Sequence, residues 1–269
     1  MNLVGLIAKN TIQKEWRSKT LLFLLVTTVL IVLLASVGLS YVKNNVLTDS
    51  PLEGLAQTTL GVFFWGINFW SFLVATFVGV STVRSDFESG VISQMLTFPL
   101  SRKDYLLGRL MGSYAIVTGY YIISMLICVF SISWAVGEFL LSPSLLLGVF
   151  IISLSNLVAI TTAMIIAFKF GTIQSFILNV LLTFSIGFAN NFYGEKGFIE
   201  GLKPFGFIKA VGALIHLFIP HTALWDGWGN SFILSQSSKF KVGIEIPHFM
   251  ITYFMILLVG LFIFRRREN

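Results

Sequence analysis

Six uncharged apolar runs, at 20–42, 59–83, 110–134, 144–168, 170–193 and 246–264, decide most of what this chain can become. A helix must bring about 20 apolar residues to cross a hydrocarbon core of roughly 30 Å. Every run meets or approaches that length. Only 11% of the residues are charged and mean hydropathy is +0.87, whereas soluble domains carry about 25% charge. The expected fold is therefore all-α and integral to the membrane, a single transmembrane unit over residues 1–269 with six transmembrane helices. The fourth and fifth runs are separated only by Lys169, which predicts a tight helical hairpin with a charged turn.

Orientation follows from the basic residues. With the N-terminus inside, the inner segments are 1–19, 84–109, Lys169 and 265–269. They hold twelve of the eighteen Lys and Arg residues, including all seven Arg, as the positive-inside rule requires. The segment 205–219 is short for a span and contains Lys209 and His216. Counting it as a seventh span would put the terminal Arg265, Arg266 and Arg267 outside. It is read instead as part of a pair of short helices dipping into the outer leaflet, bracketed by Pro204 and Pro220. Residues 1–19 read as an amphipathic helix on the inner surface, with Val4, Ala8, Ile12 and Trp16 forming its apolar stripe. The expected location is the plasma membrane, with both termini cytoplasmic.

The stretch 84–109, RSDFESGVISQMLTFPLSRKDYLLGR, holds seven of the thirty formally charged residues. Val91 with Met95, and Ile92 with Leu96, stand at i, i+4 spacing and give a short helix an apolar stripe. Pro99 cannot continue that helix and biases Phe98 away from helical geometry. Ser101 and Asp104 then form the S-x-x-D pattern of a capped helix start. The predicted sequence is helix, break, capped helix, a surface element attached to the third span.

Within the same stretch, Glu88, Gly90, Met95, Leu96, Pro99, Leu100, Ser101, Arg102, Gly108 and Arg109 occupy the positions of a pattern that reads E-x-G-T, two leucines, P-[IV]-S-R and G-[KR]. By this pattern the chain resembles the ABC-2 type transporter permeases, with Val91 where Thr is usual and Met95 where Leu is usual. Glu15 and Arg17 before the first run, and the FRRRE ending, are also similar to that family. The resemblance implies a permease subunit of an ATP-binding cassette transporter, of exporter or copper-enzyme-maturation type, paired with a second permease copy or a related permease. It also implies a cytoplasmic coupling helix that docks a separate ABC ATPase dimer. Phe87, Glu88, Gly90, Val91, Ile92, Met95, Leu96, Phe98, Pro99, Ser101 and Arg102 are its expected coupling residues.

Other motifs narrow the reading. No G-x-x-x-x-G-K-[ST] occurs, so ATP and its Mg²⁺ are expected on the partner and no cofactor on this chain. No catalytic residue is expected: a G-x-S-x-G elbow is missing and the ATPase activity belongs to the partner. The apolar runs contain no Asp, Glu, Lys or Arg, which argues against a self-powered transporter. His216, His221 and His248 lack H-x-x-x-H spacing and have no acid or Cys companion in sequence, so outer-surface hydrogen bonding is expected ahead of metal binding. Nucleic acid is not an expected partner, because basic residues do not interleave with aromatics in any soluble stretch. Gly108 and Gly112 form G-x-x-x-G, and Asn156 and Asn179 are amides that need partners in lipid, so all four are candidate interface residues. Ser153, Ser155, Thr161 and Thr162 are expected to link helices. Two alternatives stand beside the transporter reading: an ATPase-driven mechanical or assembly protein without flux of its own, and a channel or membrane enzyme.

Overall fold

The structure, a computed structural model, describes residues 3–17, 19–45, 52–91, 101–137, 139–196, 201, 203, 206–234 and 240–266. Among them the chain is all-helical: α1 (Leu3–Arg17), α2 (Thr20–Asn45), α3 (Leu52–Glu88), α4 (Arg102–Val136), α5 (Pro143–Ala167), α6 (Thr172–Lys196), α7 (Phe207–Phe218), α8 (Thr222–Ile233) and α9 (Val242–Arg266). Six of these, α2 to α6 and α9, are long and apolar enough to cross a membrane. They contain the six runs almost entirely. The helices α3 and α4 continue past the runs, to Glu88 and from Arg102, because a helix can carry its charged residues beyond the apolar slab.

The termini of these helices are set by local chemistry. Lys19 takes a left-handed backbone, φ 57°, and turns the chain from α1 into α2. Ser101 caps α4 as its sequence pattern predicts: the Asp104 amide donates to Ser101 Oγ at 3.1 Å, and that hydroxyl donates to Asp104 Oδ2 at 2.6 Å. Gly137 ends α4 at φ 83°. Ser142, followed by Pro143 at the first helical turn, starts α5. The α5–α6 hairpin turns over residues 168–171, with the Phe168 side chain fully buried.

Small residues bring the helices together. A Cβ on Gly79 of α3 would lie 2.8 Å from the Ile160 carbonyl oxygen of α5, and one on Gly148 of α5 would lie 2.5 Å from the Gly229 oxygen of α8. The pair α7 and α8, bent 60° at its break, is thus built into the bundle through α8. One core at the α1 end centres on the stacked rings of Tyr105, Phe264 and Phe168. A second, toward the other end, contains Phe64, Tyr121, Met125, Cys128 and Ile132.

The apolar stripe of α1 is a correction. Ile7, Thr11 and Glu15 face the protein, while Ile12 and Trp16 are exposed, Trp16 at 76%. The reason lies on α4. A Cβ on Gly108 would sit 2.6 Å from Ile7 Cβ, and one on Gly112 the same distance from Thr11 Cβ. The G-x-x-x-G groove selects the small, branched side of α1 and leaves Ile12 and Trp16 facing outward, where lipid would cover them. Trp65 and Trp134 are likewise exposed, but Trp225 is buried against Trp228, Phe240 and Phe249.

Candidate functional site

The two stems of the 84–109 stretch, the end of α3 and the start of α4, converge on one carboxylate. Asp86, on the last turns of α3, is 1% exposed. Its Oδ2 lies 2.7 Å from Arg109 Nη2 of α4 and accepts a hydrogen bond from the Tyr105 hydroxyl at 2.8 Å. Its Oδ1 accepts from Lys14 Nζ of α1, also at 2.8 Å. Arg109, 1% exposed, donates its other terminal nitrogen to Thr11 Oγ1 at 2.9 Å and Asn10 Oδ1 at 3.2 Å. Lys14 also donates to Ser85 Oγ. Three helices that meet only through tertiary structure are thus joined at a single charge.

Glu15 lies beside this cluster, buried at 5% exposure, and accepts from Ser81 Oγ at 3.5 Å. Burial pushes its carboxyl above the usual range; Lys14, the Ser81 hydroxyl and Arg109 oppose that push. The desolvation cost of the Asp86–Arg109 pair is offset in part because Tyr105 and Lys14 donate to the carboxylate and Thr11 and Asn10 accept from the guanidinium, whose Nε is left without a hydrogen-bond partner. The apolar runs hold no charges, yet the folded bundle encloses several at their ends. None of these charges falls within the six runs, which remain free of Asp, Glu, Lys and Arg.

The expected coupling residues divide. Phe87 packs edge-on to Phe168 at 6.2 Å. Glu88 is exposed and pairs with Arg84 at 3.2 Å, one helical turn back. Gly90 takes φ 69°, a left-handed conformation suited to glycine, and Val91 is half-buried. Ser101 caps α4, and Arg102 Nη1 donates to the Arg265 carbonyl at 2.9 Å. Ile92, Met95, Leu96, Phe98 and Pro99 lie outside the described residues. Of the candidate interface residues, Gly108 and Gly112 form the α1 groove. Asn156 donates to Ser71 Oγ at 2.9 Å, and Asn179 to Thr76 Oγ1 at 2.9 Å and the Ala159 carbonyl at 3.2 Å. All four make contacts between helices of this chain. Ser153 with Tyr114, Thr161 with Tyr253 and Ser155 with the Thr222 carbonyl also cross helices, whereas the hydrogen bonds of Thr162 return to its own helix.

A cavity of about 490 Å³ opens between α3, α5, α6 and α8. Phe69 and Phe184 form part of its apolar wall, and Asn68, Asn156, Asp226 and Asn230 its polar one. Tyr121 donates to Asn68 Oδ1, and Asn68 Nδ2 to Asn230 Oδ1 at 3.4 Å. Asp226, which sequence reasoning left in an outer connection, has a buried Oδ1 without a hydrogen-bond partner. Its signal in the sequence was only that it stands in an aromatic, glycine-broken segment.

The histidines gather at the end of the bundle opposite α1. His221 stacks between His216 and His248, with ring centroids at 4.1 and 3.9 Å. An acid joins them: Glu245 Oε2 lies 2.7 Å from His221 Nδ1. The expectation that these histidines lack an acidic companion is therefore wrong, because the companion comes from the start of α9, 24 residues along the chain. No known family model matches the chain, and no curated protein matches it.

Proposed function

We propose that the chain is the membrane-spanning permease subunit of an ATP-binding cassette exporter. A separate cytoplasmic ATPase dimer docks on the 84–109 stretch, and a second permease copy or a relative completes the pathway. Both termini lie on the cytoplasmic side of the plasma membrane. The observation that carries the reading is the convergence of both stems of that stretch on the Asp86–Arg109 pair. A push on a loop with independent stems would dissipate in the loop. Here it must move α3 and α4 together, and α1 with them through Lys14 and Thr11. Switching a two-state bundle fully takes about 5.5 kcal/mol of differential binding, a demand suited to an external ATPase. The resemblance of residues 86–109 to the ABC-2 coupling segment points the same way.

In this reading Val91, Ile92, Met95 and Leu96 bury against the ATPase, and Glu88 and Arg102 hold the ends of the segment. ATP and Mg²⁺ stay on the ATPase. The cavity beside Asn156 and Asp226 supplies space for cargo. The test is co-purification from the native host after detergent extraction. A P-loop ATPase is expected with the wild type and lost with the Met95→Asp, Leu96→Asp double variant. Its retention by the double variant, at equal yield of folded protein, overturns the docking model.

A second reading, an ATPase-driven mechanical protein without flux, draws on the Gly148–Gly229 contact that fixes α8 to α5. Bundle movement would then be delivered to an outer partner. Flux in reconstituted vesicles with the ATPase present separates the two.

A further inference from the structure

The hydrogen bonds around the stacked histidines fix which ring nitrogens carry protons. His221 Nε2 lies 2.7 Å from the His216 carbonyl, and His248 Nε2 lies 3.1 Å from the Leu217 carbonyl. A carbonyl oxygen can only accept, so both Nε2 atoms carry hydrogen. In neutral rings both Nδ1 atoms are then left with a bare lone pair. His221 Nδ1 points that lone pair at Glu245 Oε2, 2.7 Å away, where two acceptors repel unless a cation or proton lies between them. His248 Nδ1 is buried and has no hydrogen-bond partner. One ring nitrogen of each of these two histidines and a Glu245 carboxylate oxygen lie within 4.8 Å of one another.

We propose that His221, His248 and Glu245 form a binding site for a divalent transition metal of the zinc class. Two imidazole nitrogens and one carboxylate oxygen make the three-ligand set of an open tetrahedral zinc site, with the fourth position left for water or an incoming donor. Metal-bound histidines characteristically donate their second ring nitrogen to a carbonyl or carboxylate, which fixes the ring and raises its basicity. Both rings already do so here. In a tetrahedral shell with zinc–nitrogen bonds of about 2.0–2.1 Å, donors stand about 3.3 Å apart, within reach of side-chain rotation from the present spacing. His216 braces the site: it stacks on His221, and its Nδ1 lies 3.2 Å from Asn190 Oδ1 of α6. The ion ties the α7–α8 break to the head of α9.

Co²⁺, followed by Zn²⁺ in competition, is the probe on the full-length protein in detergent. The wild type takes up one Co²⁺ per chain with the visible absorption of a four-coordinate site, and Zn²⁺ bleaches it. Glu245→Gln and His248→Gln each weaken binding by more than about 100-fold, beyond the usual loss when an outer-shell partner is removed. Glu88→Gln, an exposed carboxylate at the other end of the bundle, leaves it unchanged. X-ray absorption of the zinc-loaded wild type needs no variant and shows two imidazoles in the shell. An all-oxygen shell, an absence of saturable uptake by the wild type, or equal uptake by both ligand variants overturns the site. In the second case a proton shared by His221 and Glu245 satisfies the pair. None of these readouts involves the ATPase, so they stand or fall apart from the transport reading.

Discussion

Asp86 shows how one residue can hold an element pair that its sequence position does not announce. It stands in a stretch that reads as solvated, between Ser85 and Phe87, yet it is the common acceptor for Lys14, Tyr105 and Arg109. Asp86→Asn keeps the shape and removes the charge, leaving the buried Arg109 without its paired carboxylate. Breaking a buried pair from one side costs about 3–5 kcal/mol, so a clear fall in the thermal midpoint of the detergent-solubilised protein is expected, larger than for the exposed Glu88→Gln. Equal effects of the two would mean that water reaches Arg109. The Ser101–Asp104 cap was legible because its partners are three residues apart, within one turn. The partners of Asp86 are 72, 19 and 23 residues away, and the pairing depends on which helix faces line up. The His221–Glu245 contact escaped sequence reasoning for the same reason.

Among the elements, α1 is the instructive case. Its pattern supports two stripes of period four, one through Val4, Ala8, Ile12 and Trp16 and one through Ile7, Thr11 and Glu15. Hydrophobicity alone chooses the first. In a membrane protein the most apolar face can belong to lipid, and helix contact goes to the face that fits most closely. The glycine pair on α4 was visible as a motif, but its partner was not. Gly112→Val should therefore act on α1 rather than on the spans. The new side chain meets Thr11 Cβ at 2.6 Å and the Ala8 carbonyl at 2.8 Å, an overpacking that costs about 1–3 kcal/mol. The expected outcome is faster limited proteolysis near Arg17 with the six-helix bundle intact. Unchanged cleavage would show that α1 is held chiefly by the charge cluster.

For the whole molecule, the six long helices were legible because lipid imposes a length and a composition that few other environments demand. Residues 207–233 were harder: their glycines and lone charges suit a surface, yet α8 is locked against α5. The proposed orientation predicts a labelling pattern. With Cys128, buried and the chain's single cysteine, changed to Ala, a membrane-impermeant maleimide applied to intact cells should label Phe139→Cys. It should reach Lys169→Cys and Arg17→Cys only after the cells are opened. The reverse pattern overturns the orientation. The joint at Asp86 also imposes an order on assembly. During synthesis α1 is made first, Asp86 follows some seventy residues later, and Arg109 only with the third span. Lys14 therefore meets its counter-charge with α3, but the Gly108–Gly112 groove and Arg109 come only with α4. Docking of α1 is therefore completed late, over spans already in place, and it ties the end of α3 to the start of α4.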